Sequence, residues 1–332
     1  MRAESKKTRR NLVKTVLKTL LALVESLSIC FVLVLLSNPV QAESRFSAHR
    51  PNYGFYRSDS LGESEGGGHL EYNFSTRYKI SSFGDEINGS EDRKRWSAYL
   101  AYTGRFDFFL ESRDSSPVIN RLNNPELLIR RHKRSNEEIF HYIQFAYGHE
   151  SNGQQTNSQE LFDSDIRVNR NDFISRGWDY ISIEANYNRY WKQDKGNCNE
   201  SYNCTQFWFT FKGILSDGIA QGAIEDTIFI PDRPADDDIR NYDGLQAVIS
   251  HEWERDKKFF DEFEVSLKII TGSRGPFENI TGELQLRGTT SPVPFFNLGI
   301  PLYFVYRNGY LEEIADYSLR TEFTALGLKF RL

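Results

Sequence analysis

The chain has 332 residues, a formal net charge of -5 and a 14% share of aromatic side chains. An acidic chain is a poor nucleic-acid binder, because contacts with phosphate groups need clustered basic side chains. After residue 42 no apolar run approaches the length of a transmembrane helix, which excludes a bundle of membrane-spanning helices.

The first 42 residues have the composition of a secretory signal peptide. They contain seven of the 41 Lys and Arg residues, followed by an uncharged apolar run over residues 27–36. Val40 and Ala42 are small residues of the kind that a signal peptidase accepts, so we expect cleavage and a mature chain that begins near Glu43. An uncleaved N-terminal anchor is the alternative, although the apolar core is short for a membrane span.

Two cysteines follow this leader, Cys198 and Cys204, and a polar stretch separates them. In an exported protein this spacing indicates a local disulfide bond that closes a loop. A metal site would need further Cys or His residues nearby, and the surrounding sequence has none.

Apolar and polar residues alternate repeatedly in the mature chain, and clusters of Gly, Asn, Asp, Ser and Pro separate the alternating segments. Transmembrane barrels present an apolar face with every second residue, so this pattern is typical of them. We place a periplasmic-side segment at residues 43–66 and a barrel at residues 67–332. The predicted strands cover residues 69–80, 96–111, 138–151, 178–191, 205–215, 244–254, 262–271, 282–287, 299–306 and 318–332.

The last segment predicts the outer surface of a closing strand. Leu326, Leu328 and Phe330 share one face, and Lys329 lies on the other. We therefore expect an all-β fold, a transmembrane antiparallel β-barrel, because strands in a bilayer cannot leave an open edge. A secreted soluble β-sandwich is the alternative.

Two strands carry candidate catalytic residues. His149 and Ser151 lie on the apolar face of a strand that ends near residue 151, and Asp179 lies on the apolar face of a strand that begins near residue 178. If these strands pair as an antiparallel hairpin, the three side chains converge on the lipid-facing wall. Ser151 would be the nucleophile, His149 the general base and Asp179 the group that orients the imidazole. Alternatively, Asp179 is a solvated residue at a strand end.

The same residues resemble the outer-membrane phospholipase A family, whose pattern is His-x-Ser-Asn-Gly, a loop and then Ser-Arg-Ser-Trp-Asn. The corresponding segments here are His149-Glu150-Ser151-Asn152-Gly153 and Ser175-Arg176-Gly177-Trp178-Asp179. Further blocks in the family's order are Ser115-Ser116-Pro117 with Arg121 and Asn124-Pro125-Glu126, Asp237-Asp238-Ile239 with Tyr242 and Gly244, and Gly309-Tyr310-Leu311-Glu312 with Asp316-Tyr317. The resemblance covers most of the mature chain.

The resemblance implies a twelve-stranded barrel in a bacterial-type outer membrane that hydrolyses acyl esters of glycerophospholipids and lysophospholipids, at the sn-1 position, the sn-2 position or both. It also implies activation by calcium and by assembly into a homodimer. Asp179 stands where the family usually has Asn. Since either side chain can accept a hydrogen bond from imidazole, the resemblance alone predicts that Asp179→Asn keeps much of the activity.

Calcium takes hard oxygen ligands. The resemblance implies that these are Asp172, Ser175 and the backbone carbonyl of Gln154, with Ser115 donated by the second subunit of the dimer. The chain departs from the family after the pair Tyr102-Thr103. The family has a buried Gln of its dimer contact soon after such a Tyr-Thr pair, whereas Gly104-Arg105 follow it here. The chain also departs in two insertions, residues 155–171 and 198–233.

Two other functions compete with this interpretation. A non-enzymatic barrel, acting as a pore or an adhesin, would keep the alternation but would have no reason to place His149 and Ser151 on the lipid side, where polar groups cost desolvation energy. A soluble secreted esterase would show strands alternating with helices, and the chain lacks that rhythm.

Overall fold

The computed structural model describes residues 45–57, 69–87, 90–109, 118–133, 139–166, 173–190, 203–221, 238–254, 260–290, 299–311, 315 and 317–330. The predicted signal peptide lies outside these ranges, so its cleavage stays a prediction. Three residues with predicted roles also lie outside them: Ser115, Asp172 and Cys198.

The described ranges are mostly β-structure. A short helix, α1, covers Gln159–Ser164, and a 3-10 helix covers Ile239–Asn241. No helix among the described residues is long and apolar enough to cross a membrane. The strands are β1 (Phe46–Ala48), β2 (Asn52–Arg57), β3 (His69–Ile87), β4 (Ser90–Phe108), β5 (Val118–His132), β6 (Tyr142–Ser151), β7 (Gly177–Tyr190), β8 (Cys204–Ile214), β9 (Gly244–Glu254), β10 (Phe260–Gly272), β11 (Thr281–Thr290), β12 (Pro301–Gly309) and β13 (Thr321–Phe330).

The strands close into one antiparallel barrel. β1 and β2 lie end to end along β3, where they pair with residues 76–78 and 69–73 respectively, and so count as one interrupted strand. β2 also pairs with β13, β3 pairs with β4, and each later strand pairs with its successor. The result is a closed twelve-stranded barrel without a free edge, which confirms the predicted fold class.

The two faces of the barrel wall differ in polarity. Leu100, Ile181 and Leu326 lie on the outer face and are each more than half exposed, whereas Gln144 and Glu184 are almost completely buried in the interior. Apolar residues outside and polar residues inside are the pattern of a barrel whose wall contacts lipid. The alternation predicted for the closing strand agrees, since Phe330 is exposed and Lys329 is buried.

A break between β1 and β2 directs two basic side chains into the interior. His49 Nε2 lies 2.6 Å from an oxygen of Glu126, and Arg50 donates to Glu184 over 2.6 Å. Because buried carboxylates require partners, the Arg50 guanidinium compensates negative charge inside the barrel and the His49 imidazole adds a hydrogen bond.

The barrel begins earlier than the sequence pattern indicates. We place residues 43–66 before the barrel, whereas β1 and β2 belong to that segment and take part in the sheet. The reason is that β2 reverses the usual pattern, since the aromatic rings of Tyr53 and Phe55 stack on its inner side and pack against Tyr303. A six-residue strand with apolar residues on its inner face does not match the alternation of a lipid-facing strand.

The predicted strands also leave out β5, because the sequence in the middle of this strand is typical of a turn. Asn124 and Pro125 interrupt the pattern, and proline has no N–H for a strand ladder. The pairing of β5 with β6 accordingly passes from Asn123–Ser151 directly to Glu126–Gly148. Pairing with β4 continues through Pro125 on the other side of the strand.

Cys204 begins β8, is buried and is disulfide-bonded. Its partner lies outside the described residues, so the pairing with Cys198 stays a prediction.

Candidate active site

The candidate site lies where β6 ends and β7 begins. These strands pair in register, with His149 opposite Asp179 and Ser151 opposite Gly177. The pairing is the antiparallel hairpin on which the predicted convergence depends. Because side chains two residues apart share a face, His149 and Ser151 are both on the outer side of the wall.

A hydrogen bond joins His149 to Asp179. Nδ1 of His149 lies 2.7 Å from Oδ1 of Asp179, and the two side chains are 20% and 0% exposed. A carboxylate can only accept, so Nδ1 carries the proton and Nε2 is left as the basic nitrogen. This is the tautomer that a general base next to a serine needs.

The second oxygen of Asp179 has three further donors. The Tyr147 hydroxyl donates to Oδ2, and so do the backbone N–H groups of Ala220, at 2.6 Å, and Gln221, at 3.2 Å. Four donors among the described residues satisfy the hydrogen-bonding capacity of this buried carboxylate. Hydrogen bonds from the protein therefore fix the Asp179 side chain, which is buried and is not the solvated strand-end residue of the alternative interpretation.

Ser151 lies beside this pair. Its backbone pairs with Asn123 on one side and with Gly177 on the other, so the strand position of its side chain is fixed. Among the hydrogen bonds of the described residues, none joins the Ser151 hydroxyl to His149. In structures without substrate such a contact often forms only when substrate binds.

The turn after β6 is anchored by Asn152. Its side chain accepts from the N–H of Arg176 at 3.0 Å and donates to the carbonyl of Ile174 at 2.7 Å, while its backbone N–H donates to Arg176 at 3.2 Å. Gly153, with a φ of +61°, then reverses the chain in a conformation that favours glycine. Together these contacts hold the end of β6 against the start of β7.

A polar network supports the site from inside the barrel. Glu150 accepts from Trp178 Nε1 at 2.9 Å and from Lys212 at 2.8 Å, and Lys212 also contacts Asp243 at 2.7 Å. The indole of Trp178 packs in a buried cluster that includes Tyr317. Since each charge has a partner, the inner side of the hairpin is rigidly defined.

The outer wall around the site is apolar. Phe145 lies on β6 four residues before His149, Ile181 lies on β7 two residues after Asp179, and both are close to half exposed. The imidazole and the hydroxyl thus lie at the end of a lipid-facing surface, as predicted from the alternation.

The structure describes two of the four predicted calcium ligands, Gln154 and Ser175. A parallel bridge between Thr156 and Ile174, with the N–H of Ser175 donating to Thr156 at 2.7 Å, holds their two segments side by side. Both supply neutral oxygen atoms, which suits calcium in type but leaves the negative charge to Asp172. Within the described ranges no group of three or more His, Cys, Asp or Glu residues is arranged to hold a metal ion.

Gly104, the first residue after the Tyr-Thr pair at which the chain departs from the family's dimer contact, occupies the outer face of β4. A side chain at this position would meet the ring of Phe106 at 2.9 Å and that of Tyr102 at 3.1 Å. Aromatic rings therefore cover the position.

Sequence reasoning missed four residues that contact Asp179. These are Tyr147, Gly218, Ala220 and Gln221. The last three lie in residues 198–233, which we predict to be an insertion. That prediction is wrong for Cys204–Ile214, which form β8 of the barrel wall, so Gly218, Ala220 and Gln221 belong to the segment that follows this strand. Tyr147 could have been found, because it shares a face with His149 two residues away. Nothing in the sequence pattern indicates that this segment returns to the start of β7.

Comparison with known proteins gives the fold. Neither a protein-family model nor a curated protein matches the chain. An active-site mutant of outer membrane phospholipase A from Escherichia coli superposes with a TM-score of 0.56 and 16% sequence identity, covering 89% of this chain and 93% of that one. Another structure of the Escherichia coli protein gives 0.55 and 14%, over 89% and 93% of the two chains. The dimer of the Salmonella typhi outer membrane phospholipase with bound calcium gives 0.55 and 15%, over 89% and 94%. At these identities, the comparison shows that this chain shares the barrel fold of outer membrane phospholipase A.

Proposed function

We propose that this chain is a calcium-dependent phospholipase A of the outer membrane that hydrolyses acyl esters of glycerophospholipids. The observation that carries the proposal is the hydrogen bond between His149 and Asp179 on the outer wall of the barrel, beside Ser151. A passive barrel gains nothing from a buried carboxylate and an imidazole on its lipid-facing side, because both cost desolvation energy.

Each residue has a distinct part in the reaction. The Ser151 hydroxyl attacks the ester carbonyl carbon, and its proton passes to Nε2 of His149. The tetrahedral intermediate expels the lysophospholipid alkoxide, which takes that proton, and the fatty acyl group stays on Ser151. Water then attacks the acyl-serine and loses its proton to His149. The second tetrahedral intermediate collapses to release the fatty acid, and the leaving Ser151 oxygen takes that proton back from His149. Asp179 holds the tautomer and stabilises the imidazolium in both steps.

Calcium belongs to the same proposal. Asp172, Ser175 and the carbonyl of Gln154 would hold the ion, with the partner subunit's Ser115 as a further ligand. Bound there, it would supply positive charge for the developing oxyanion. The observation in favour is that the segments of Gln154 and Ser175 are held side by side at the start of β7.

Substrate access follows from the direction in which the site faces. His149 and Ser151 project from the wall and not into the interior, so a phospholipid could approach laterally from the bilayer without entering the barrel. Hydrolysis at either the sn-1 or the sn-2 ester is compatible with such an open approach, and lysophospholipids would present the same ester. We also propose that a homodimer is the active form, since Ser115 would act across the interface.

The test is fatty-acid release from mixed micelles of detergent and phospholipid labelled separately at the sn-1 and sn-2 chains. The parent protein should release labelled fatty acid with calcium, and Ser151→Ala should lose essentially all of that turnover. Ser81→Ala, which changes an exposed serine on β3, is the matched control and should leave the rate unchanged. A parent that releases neither label would contradict the proposed function, and crosslinking at the active concentration would show whether it is a dimer.

A further inference from the structure

The short segment of residues 218–221, here called the clamp segment, lies over the start of β7. It follows β8 and lies within residues 198–233. The N–H of Ile219 donates to the Tyr147 hydroxyl at 3.0 Å, and the N–H groups of Ala220 and Gln221 reach Asp179. The contacts with Asp179 come from the backbone, so they depend on the path of the segment and not on its side chains.

The clamp segment fits closely against Asp179. A side chain added at Gly218 would lie 2.1 Å from Oδ2 of Asp179 and 2.4 Å from its Cβ. Real Cβ atoms do not approach other atoms this closely, so only glycine allows this approach. The Ile219 side chain, by contrast, is 89% exposed and does not fix the segment in place.

The clamp segment also covers Gly177. A side chain at this position would lie 2.9 Å from Oε1 of Gln221 and 3.4 Å from the Cβ of Ser151. The chain departs from the Ser-Arg-Ser-Trp-Asn pattern at two positions, with Gly177 in place of Ser and Asp179 in place of Asn. Both positions are in contact with the clamp segment, Asp179 through backbone N–H groups and Gly177 through the flexible end of the Gln221 side chain.

Donor and acceptor counts explain why Asp179 is a carboxylate. An Asn side chain has one acceptor oxygen and one donor NH2 group. If its oxygen accepted from His149, its NH2 would face the N–H groups of Ala220 and Gln221, and donors would oppose donors. If it turned round, its NH2 would donate to Nδ1 of His149, and the proton would move to Nε2, where it prevents His149 from accepting the Ser151 proton.

We infer that the clamp segment and Tyr147 are positioning residues that make a carboxylate at position 179 obligatory for catalysis in this chain. The inference rests on the proposed function for its catalytic part. From the resemblance alone, Asp179→Asn restores the residue that the family usually has and keeps much of the activity. The inference predicts the opposite result.

The first measurement is amide hydrogen exchange, resolved to single residues, on the full chain folded in detergent micelles. In the parent, the N–H groups of Ala220 and Gln221 should exchange at least about tenfold more slowly than in Asp179→Asn and Asp179→Ala, since their acceptor is lost or reversed. Heat-modifiable gel mobility establishes that each variant is a closed barrel. Equal exchange in the parent and both variants would overturn the clamp, whether or not the protein is a phospholipase.

The second measurement is phospholipid hydrolysis by the same proteins. Asp179→Asn should be no more active than Asp179→Ala, and both should lie at least about 100-fold below the parent in kcat, because the Asp to Asn exchange in a Ser-His-Asp triad costs about 10⁴-fold through the wrong tautomer. Asp179→Asn with more than half of the parent's kcat would overturn the carboxylate requirement. If the parent shows no hydrolysis, the proposed function fails, and exchange alone decides the clamp.

Two Gly→Ala variants distinguish a positioning role of the clamp segment from a general disturbance of the fold. Gly218→Ala places a methyl group against Asp179 and should lower kcat roughly tenfold or more with little change in KM, since it removes an interaction with the catalytic unit and not with substrate. Gly213→Ala is the matched control, because its added methyl would meet neighbours only at 3.6 Å and beyond. Equal kcat values for the two variants would contradict the positioning role of the segment.

Discussion

His149 and Asp179 occupy directly opposite positions on β6 and β7, and Nδ1 of the imidazole lies 2.7 Å from the carboxylate. The strand ladder itself sets this distance, since the two residues are a cross-strand pair on the outer face. A pair fixed in this way by the strands needs no loop to assemble it. What remains to be positioned is the other carboxylate oxygen, and Tyr147 and the clamp segment do this.

Tyr147→Phe tests the hydroxyl that bridges Asp179 and the clamp segment. The change removes a hydrogen bond to a charged group, which is worth about 1.5–3 kcal/mol, and leaves the N–H of Ile219 without its acceptor. We expect kcat to fall roughly 10- to 100-fold with KM nearly unchanged, as measured by mixed-micelle kinetics. Tyr56→Phe, on the exposed outer face of β2, should retain the parent's kcat. A fall in both variants would point to loss of packing instead.

His149→Ala and Ser151→Ala should reduce turnover to the same low level, and the double variant should be no worse. The residues act as one unit, so their losses do not add, and each loss should be about 10³-fold or more in kcat. His251→Ala is the matched control, since His251 also projects from a strand and bonds a hydroxyl, that of Thr205. Additive losses would mean that the two residues act independently and would contradict the triad.

Hydrolysis should depend on calcium, and changing a proposed calcium ligand should raise the calcium concentration that hydrolysis needs. Chelation should abolish hydrolysis, and Asp172→Ala should raise the calcium concentration for half-maximal rate roughly tenfold or more, because ligand charge tunes calcium affinity over orders of magnitude. Asp163→Ala removes an exposed carboxylate of α1, in the insertion that precedes Asp172, and should leave the calcium titration unchanged. Full activity in excess chelator would remove calcium from the mechanism.

Arg287 should matter for stability and not for chemistry. It lies inside the barrel within 3.1 Å of Glu252 and 3.1 Å of Glu264, and its side chain is almost fully buried. Arg287→Ala leaves these carboxylates without that cation, so we expect a loss of about 3 kcal/mol in the free energy of unfolding, measured by urea titration in lipid vesicles. Arg320→Ala, at an exposed site, should stay within about 0.5 kcal/mol of the parent. Equal effects would show that the interior pairs contribute no specific stability.

The sequence alone predicts the barrel and the convergence of His149, Ser151 and Asp179 because both follow from a period of two residues. Alternation places His149 and Ser151 on one face and Asp179 on the facing strand, and the register of β6 and β7 then brings them together. The same rule fails for β2, whose aromatic residues face inward, and for β5, where Pro125 resembles a turn. Both strands depart from the alternation of apolar and polar residues, and pairing with neighbouring strands keeps them in the sheet.

The clamp segment could not be predicted, because it depends on tertiary contact. Its donors are backbone N–H groups, which have no signature in the sequence, and the contact joins residues about forty positions apart. In the local sequence, only Gly177 and Asp179 depart from the family's Ser-Arg-Ser-Trp-Asn pattern at this site. The sequence does not show that both positions contact the clamp segment.

The central claim is that Ser151 is the nucleophile of a phospholipase. Its most direct test is titration of the protein with a long-chain alkylsulfonyl fluoride. Fatty-acid release is measured at each step, and mass spectrometry identifies the modified residue. We predict that hydrolysis falls in proportion to modification of Ser151 alone, and that His149→Ala resists modification because its serine is not activated. Loss of hydrolysis with modification elsewhere, or unchanged hydrolysis after Ser151 is fully modified, would contradict the account.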